Sequence, residues 1–215
     1  MLRVVKSKGI GVLDKKESKR MCRSMTRTLL NAFAGSSTTL VWMSHLLDRD
    51  PVVKTKLNTE LDKVIQGRLP VFKDLKKLNY VEAVLKETMR LYPAGWMISR
   101  QSEEEDKLLD IKIPKNSMIH ICTYSLHRDP RYWEQENEFI PQRFIDNPNP
   151  AAFIPFSLGP RKCVGAGFAF SSMAFLAALF FKNFEIEFNE QKFEPVPKVA
   201  LRPDPEVYCR IRKKI

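Results

Sequence analysis

The residues best suited to do chemistry in this sequence lie in Phe156-Ser-Leu-Gly-Pro-Arg-Lys-Cys-Val-Gly165. Pro160 fixes its own φ and biases Gly159 away from helix, so the chain turns here. Gly165 and Gly167 leave the backbone after Cys163 free to approach something bulky. A helix beginning near Val164 would turn its positive end toward the Cys163 sulfur, where negative charge is favoured. Arg161 can aim a fork of donors at a carboxylate, and the Phe156 ring can lie against the sulfur. A cysteine held in this way suits an axial metal ligand, and the flat approach suits a haem. The bland alternative is a structural cysteine on a turn.

Two further sets stand out. Ala34-Gly-Ser-Ser-Thr-Thr39 gathers poor helix formers at the centre of a long helical pattern. Glycine there permits close approach, and hydroxyls can bond back to a carbonyl one turn earlier and bend the helix. Small-residue helix packing explains the same run. Glu87 and Arg90 are three apart, on one helix face. Alone such a pair is usually a weak surface bridge, but Leu85, Thr88, Met89 and Leu91 around it predict partial burial.

Positioning these residues requires several elements. Residues 1 to about 20 read as a basic surface segment in which Gly9 and Gly11 prevent regular structure. Met21, Met25, Leu29, Phe33, Leu40, Met43 and Leu47 recur at helical spacing and predict a helix from Met21 to about Asp48. Asp48-Arg-Asp-Pro51 ends it and starts a second, whose Val53, Leu57, Leu61 and Val64 share a face until Gly67. A third runs from Leu75 to Leu91 and stops at Pro93. Ile98 to Arg100 and Ser117 to Ile121 alternate as strands around a solvated acidic turn, Glu103 to Asp106. Residues 131–150 read as irregular. Val164 to Phe181 carries no charge and is long enough to raise a transmembrane flag; its small residues and its place behind the cysteine loop favour a buried helix under a cofactor. Phe184 to Phe188 and Glu206 to Arg212 read as closing strands.

The 215 residues, 44% of them hydrophobic, suffice for a core. A net charge of +11 invites a nucleic-acid reading. The basic residues are instead spread along the chain with no zinc-finger or RNA-binding signature, so no nucleic-acid partner is expected. An anionic surface, an acidic protein or a membrane, is the better match. Four separated cysteines without a CxxC pair point to a reducing compartment. The N-terminal apolar run is too short for a signal peptide or anchor.

The spacing Phe156, Gly159, Arg161, Cys163, Gly165 resembles the haem-binding signature of the cytochrome P450 family. It should arise by chance in a chain of this length on the order of once in ten thousand. The other motifs follow in the family's order. The resemblance makes Cys163 the axial thiolate of haem b (iron protoporphyrin IX), pushing electron density toward iron. It puts Thr38 beside the oxygen site and Ser37 where an Asp or Glu is usual; that acid helps relay protons, whereas a serine supplies no charge. It implies that Arg143, from Pro141-Gln-Arg-Phe144, joins Glu87 and Arg90 in a structural clamp, with Gln142 where Glu is commoner. Arg161 and Arg100 would bind the haem propionates, Phe156, Gly159 and Gly165 would shape the cofactor loop, and His127 would pack near the propionates. Neither His120 nor His127 is expected to ligate iron.

The implied fold is mainly α with a small β portion (α+β), the C-terminal part of the P450 fold. Residues 1–215 would be a partial domain whose N-terminal half, anchor and most of the substrate-pocket wall are missing. The implied function is a haem-thiolate monooxygenase taking electrons from an NADPH-linked reductase, an acidic redox partner, and inserting one atom of O2 into a small apolar substrate. The implied location of the parent is the cytosolic face of the endoplasmic reticulum membrane. Two alternatives stand beside this: an isomerase or dehydratase that needs no external electrons, and a truncated non-catalytic haem- or partner-binding fragment.

Overall fold

A computed structural model of the chain describes residues 3–6, 9–12, 14–189 and 194–214. Two short strands, β1 (Arg3–Lys6) and β2 (Gly9–Val12), pair antiparallel. Regular structure thus includes Gly9 and Gly11, contrary to the expectation that they would prevent it. Helix α1 runs from Lys15 to Arg49, six residues earlier than hydrophobic periodicity predicts. Its start is set by polar chemistry. Asp14 Oδ1 accepts the N–H groups of Lys16 and Glu17 at 2.7 Å, and Glu17 returns a carboxylate to the Asp14 N–H. Among the described side chains of α1, Phe33 is 77% exposed, whereas Met43 and Leu47, nearer the C-terminus, are buried. The side chains of Met25 and Leu29, counted in the same apolar series, lie outside the described residues.

Asp50 ends α1 and caps α2 (Pro51–Ile65), accepting the Val53 N–H at 2.9 Å, with Pro51 in the first turn, where no N–H is needed. Val53, Leu57, Leu61 and Ile65 are buried, and the helix ends in left-handed backbone at Gln66 and Gly67. A 3-10 turn over Phe72–Lys77 precedes α3 (Asn79–Leu91), so the single helix expected from Leu75 is two pieces. Glu60 of α2 is the reason α3 starts where it does: its two oxygens accept the Tyr80 and Val81 N–H groups at 2.8 and 2.9 Å.

Next come β3 (Met97–Gln101), β4 (Asp106–Leu108), β5 (Ile111–Ile113), β6 (Met118–Cys122) and the short α4 (Thr123–Leu126) and α5 (Gln142–Asp146). The chain closes with α6 (Ala166–Asn183), β7 (Phe184–Phe188), β8 (Glu194–Pro197), β9 (Leu201–Asp204) and β10 (Cys209–Lys213). Every sheet among the described residues is a two-stranded antiparallel pair: β1–β2, β3–β6, β4–β5, β7–β10 and β8–β9. The fold is α+β with helices dominant.

The main core joins α1, α2, α3 and α6 through Met43, Leu57, Leu61, Leu85, Met173 and Phe181. A second cluster of Ala83, Trp133, Phe144 and Ala152 lies on another side of α3. With apolar and charged neighbours on both sides, α3 buries nine of its 13 residues, Glu87 and Arg90 among them. Helix α6 is long and apolar enough to cross a membrane by length and composition. Here Met173, Ala174, Ala177, Ala178 and Phe181 pack into the core while Phe168 and Leu176 remain exposed. It is a core helix with one uncovered apolar edge.

Candidate haem-thiolate site

Glu87 and Arg90 sit one turn apart on α3 with no surface exposed. Arg90 Nε donates to Glu87 Oε2 at 2.7 Å and Nη2 to Oε1 at 2.9 Å, a bidentate pair. Arg90 also donates to the carbonyls of His127 (2.8 Å), Glu136 (2.6 Å) and Glu138 (3.0 Å). Its guanidinium lies 5.1 Å from the Trp133 ring centroid. From α5, Arg143 Nε donates to Glu87 Oε1 at 3.1 Å, and the Ile140 N–H donates to the same oxygen at 2.9 Å. The other Arg143 nitrogens reach the carbonyls of Glu134 and Gln135. One carboxylate therefore lies between two guanidinium groups, and those groups collect carbonyls from a stretch with little regular structure to satisfy them. Gln142 stays out of this cluster and donates to Asp146 on the surface.

The cluster continues toward the cysteine. His127 is fully buried, and its Nε2 accepts the Ile154 N–H at 3.0 Å, which requires a neutral ring. Burial, reinforced by the Arg90 charge, lowers its pKa to about 4. Two residues after Ile154, the Phe156 carbonyl accepts the Cys163 N–H at 2.9 Å. The link between Phe156 and Cys163 is thus a backbone bond, and the Phe156 ring packs against the main core.

Between them the loop makes a 3-10 turn over Gly159–Arg161. Ser157 and Gly159 adopt φ of 64° and 72°. The second conformation suits glycine; the first is a sparsely populated one for serine. Ser157 is held from outside, because Arg100 Nη2, from β3, donates to its Oγ at 2.8 Å. Helix α6 begins at Ala166, with Gly165 as N-cap, two residues later than expected; the Cys163 carbonyl accepts the Ala166 N–H at 3.3 Å. A Cβ built on Gly165 would lie 4.0 Å from the Cys163 sulfur.

The residues present fit a large flat apolar group that carries anionic edges. Cys163 is exposed, and Leu158, Val164 and Phe168 around it in the sequence are 61%, 94% and 80% exposed. Apolar surface of that kind gains about 25 cal/mol per Å² when covered. Arg161 is exposed on the loop itself, and Arg100 reaches the loop from β3.

In α1, Thr38 is buried and Ser37 half-buried. Ser37 Oγ donates to the carbonyls of Phe33 (3.0 Å) and Ala34 (3.2 Å), and Thr39 Oγ1 donates to that of Gly35 (3.0 Å). A Cβ on Gly35 would lie 3.9 Å from the Ala94 Cβ, an ordinary contact, so the approach of the segment after α3 does not itself demand glycine here. Trp133, Ile140 and the carbonyls of Glu134, Gln135, Glu136 and Glu138 belong to this cluster and were missed by sequence reasoning; His127, expected near the propionates, lies buried beside Arg90. The His-Arg-Asp-Pro-x-x-Trp spacing from His127 to Trp133 carried a signal, but no helical or strand periodicity connects it to α3.

An exposed thiol on a glycine-containing turn before an apolar helix, with a buried Glu-Arg-Arg cluster on α3 and α5, is an arrangement that could hold a haem through its sulfur. The sequence profile of cytochrome P450 matches residues 13–210, and the chain belongs to that family. It is 35% identical to cytochrome P450 4V2 of Rattus norvegicus over 193 residues, 85% of this chain and 37% of that protein. It is 36% identical to protein LUTEIN DEFICIENT 5, chloroplastic, of Arabidopsis thaliana over 182 residues, 80% of this chain and 31% of that protein. Against cytochrome P450 3A6 of Oryctolagus cuniculus it is 31% identical over 198 residues, 87% of this chain and 40% of that protein. The chain therefore spans between about a third and two fifths of the length of these relatives. Family membership implies a haem cofactor.

Proposed function

We propose that this chain forms the thiolate side of a haem monooxygenase, with Cys163 as the residue that would hold the iron of haem b. The observation that carries this reading is the exposed Cys163 on its turn, with uncovered apolar residues and arginines around it. When bound, the haem would supply activation of O2, using electrons from an NADPH-linked reductase, with one oxygen atom entering a small apolar substrate. The residues of the chain do the rest. The turn before α6 holds Cys163 at the surface, where its sulfur would reach a bound iron. Arg161 and Arg100 neutralise the propionates, while Phe156, Gly159 and Gly165 keep the loop in shape. Thr38 holds a proton-delivering water at the oxygen site, and Ser37 passes protons along it without supplying a charge. Glu87, Arg90 and Arg143 act as a structural clamp. Arg161 and Lys162, both exposed, suit docking of an acidic redox partner.

We place the parent protein at the cytosolic face of the endoplasmic reticulum membrane, a reading supported by likeness to the animal relatives. The chloroplastic name of the Arabidopsis relative makes cell fractionation the deciding measurement. Residues 1–215 would be the C-terminal part of the P450 domain.

The direct test of the ligand is spectroscopic. Reduced, haem-loaded protein with carbon monoxide should show the long-wavelength Soret band of thiolate-bound haem. Cys163→Ala should abolish it, and changes at Cys22, Cys122 or Cys209 should leave it in place. A thiolate spectrum that survives Cys163→Ala would disprove the assignment.

Ser37 supports a second reading, a haem-thiolate isomerase or dehydratase that needs no proton relay to oxygen. NADPH consumption with reductase separates the two.

A further inference from the structure

The turn of α1 that carries Thr38 is poorly equipped to hold its own position. Gly35, Ser36, Ser37, Thr38 and Thr39 are weak helix formers, and hydroxyls of Ser37 and Thr39 compete for the helix's own carbonyls. One turn further on stands Trp42, fully buried. Trp42 follows Thr38 by four residues, so the two side chains lie on one face of α1, and both are buried.

Trp42 reaches two distant parts of the chain. Its ring stacks on Tyr92 at 3.9 Å with an interplanar angle of 3°. Its Nε1 donates to the Leu201 carbonyl, at the tip of the β8–β9 hairpin, at 2.9 Å. The Leu201 N–H in turn donates to the Ala94 carbonyl at 3.2 Å. Ala94 belongs to the strap 92–96, which leaves α3 and leads into β3 and Arg100. The same strap runs beside Gly35, where an added Cβ would just meet the Ala94 Cβ at 3.9 Å. It is held on its far side too: Thr123 donates to the Gly95 carbonyl, and Arg128 lies 5.6 Å from the Tyr92 ring and 3.9 Å from that of Tyr124.

We propose that Trp42 is a positioning residue for Thr38: its stack on Tyr92 and its indole bond to Leu201 set the register of this turn against the strap and the hairpin tip. The proposal rests on the reading of Thr38 as the oxygen-site hydroxyl, although the mechanical part stands without it. A weak, glycine-containing turn gains its fixed place from outside, through contacts 50 and 159 residues away in the chain. Thr38 touches the reacting atoms in this account, and Trp42 acts only through it.

The hairpin supplies its own control. Trp96 Nε1 donates to the Lys198 carbonyl at 2.9 Å, a second indole bond to the same tip that does not involve α1. Trp42→Phe keeps a ring for the stack and removes one bond; Trp96→Phe removes the other. Amide hydrogen exchange on the full chain reads the mechanical effect without any turnover. Trp42→Phe should speed exchange at Thr38 and Thr39 roughly tenfold, the equivalent of one buried hydrogen bond, while α2 is unchanged. Trp96→Phe should speed exchange at Leu201 alone. In haem-loaded protein with reductase, Trp42→Phe should raise peroxide released per NADPH with little change in KM, and Trp96→Phe should not. Unchanged exchange at Thr38 in Trp42→Phe, or equal effects of the two variants there, overturns the proposal. Faster exchange at Thr38 with no haem-dependent turnover in any form would leave the positioning standing and reject the monooxygenase reading instead.

Discussion

Arg100 Nη2 donates to Ser157 Oγ at 2.8 Å, joining β3 to the cysteine loop across 57 residues. The bond meets the loop where its backbone is least comfortable, at a serine with φ of 64°. It also brings a cation to the approach of Cys163. Arg100 can therefore shape the loop and answer an anionic edge of a bound group at once. Arg100→Gln should speed haem loss to a scavenging protein about tenfold, consistent with one charge-assisted bond. Ser157→Ala should show a smaller effect. Equal retention in wild type and Arg100→Gln would remove Arg100 from the cofactor site.

The clamp predicts a hierarchy of stabilities. Arg90→Ala leaves Glu87 with Arg143 and the Ile140 N–H, and strips donors from three carbonyls. A loss of roughly 3–5 kcal/mol is expected, because a buried charge loses its main partner. Arg143→Ala should cost less, since Glu87 keeps the bidentate Arg90. Denaturant midpoints measure both. A stable Arg90→Ala protein with full haem content and only a raised KM would assign the pair a different role.

His127 makes the structure acid-sensitive at a defined place. Its pKa is lowered from 6.5 to about 4 in the folded protein, so between those values the unfolded chain binds the extra proton. Stability contributed by the neutral ring is complete above about pH 6.5 and is lost as pH falls toward 4, by up to about 3 kcal/mol. His45, buried on α1 and also lowered to about 4, adds a slope of the same sign. The difference between wild type and His127→Gln isolates the His127 share. If unfolding free energies of the two run parallel from pH 7 to 4, His127 is not the sensor.

Ser37 is open to a gain of function. Its hydroxyl is tied back to Phe33 and Ala34, and its side chain is only half-buried, so a longer acidic group has a way out toward solvent. If the reaction is monooxygenation, Ser37→Glu should raise product formed per NADPH and lower peroxide release. Tight coupling in the unmodified protein, unchanged or worsened by Ser37→Glu, would show that proton delivery at this position is not limiting.

What the sequence determined by itself is local. The turn at Pro160, the cap at Asp50, the one-face spacing of Glu87 and Arg90, and the periodicity of α2 and α3 are all set by residues within a few positions of each other. Steric limits on φ and side-chain reach act at that range. Even there the capping pair Asp14 and Glu17 lies outside the apolar series, so α1 begins six residues before that series does. Tertiary structure alone decided which carbonyls fill the Arg90 guanidinium, that His127 connects the clamp to the chain before Cys163, and that Arg100 holds Ser157. It also decided that Phe33, in phase with Met43 and Leu47, is exposed while they are buried. Each of these depends on the path of segments without periodicity, such as 92–96 and 127–143. In those segments the backbone donors and acceptors find partners tens of residues away, and no pattern along the chain records the pairing.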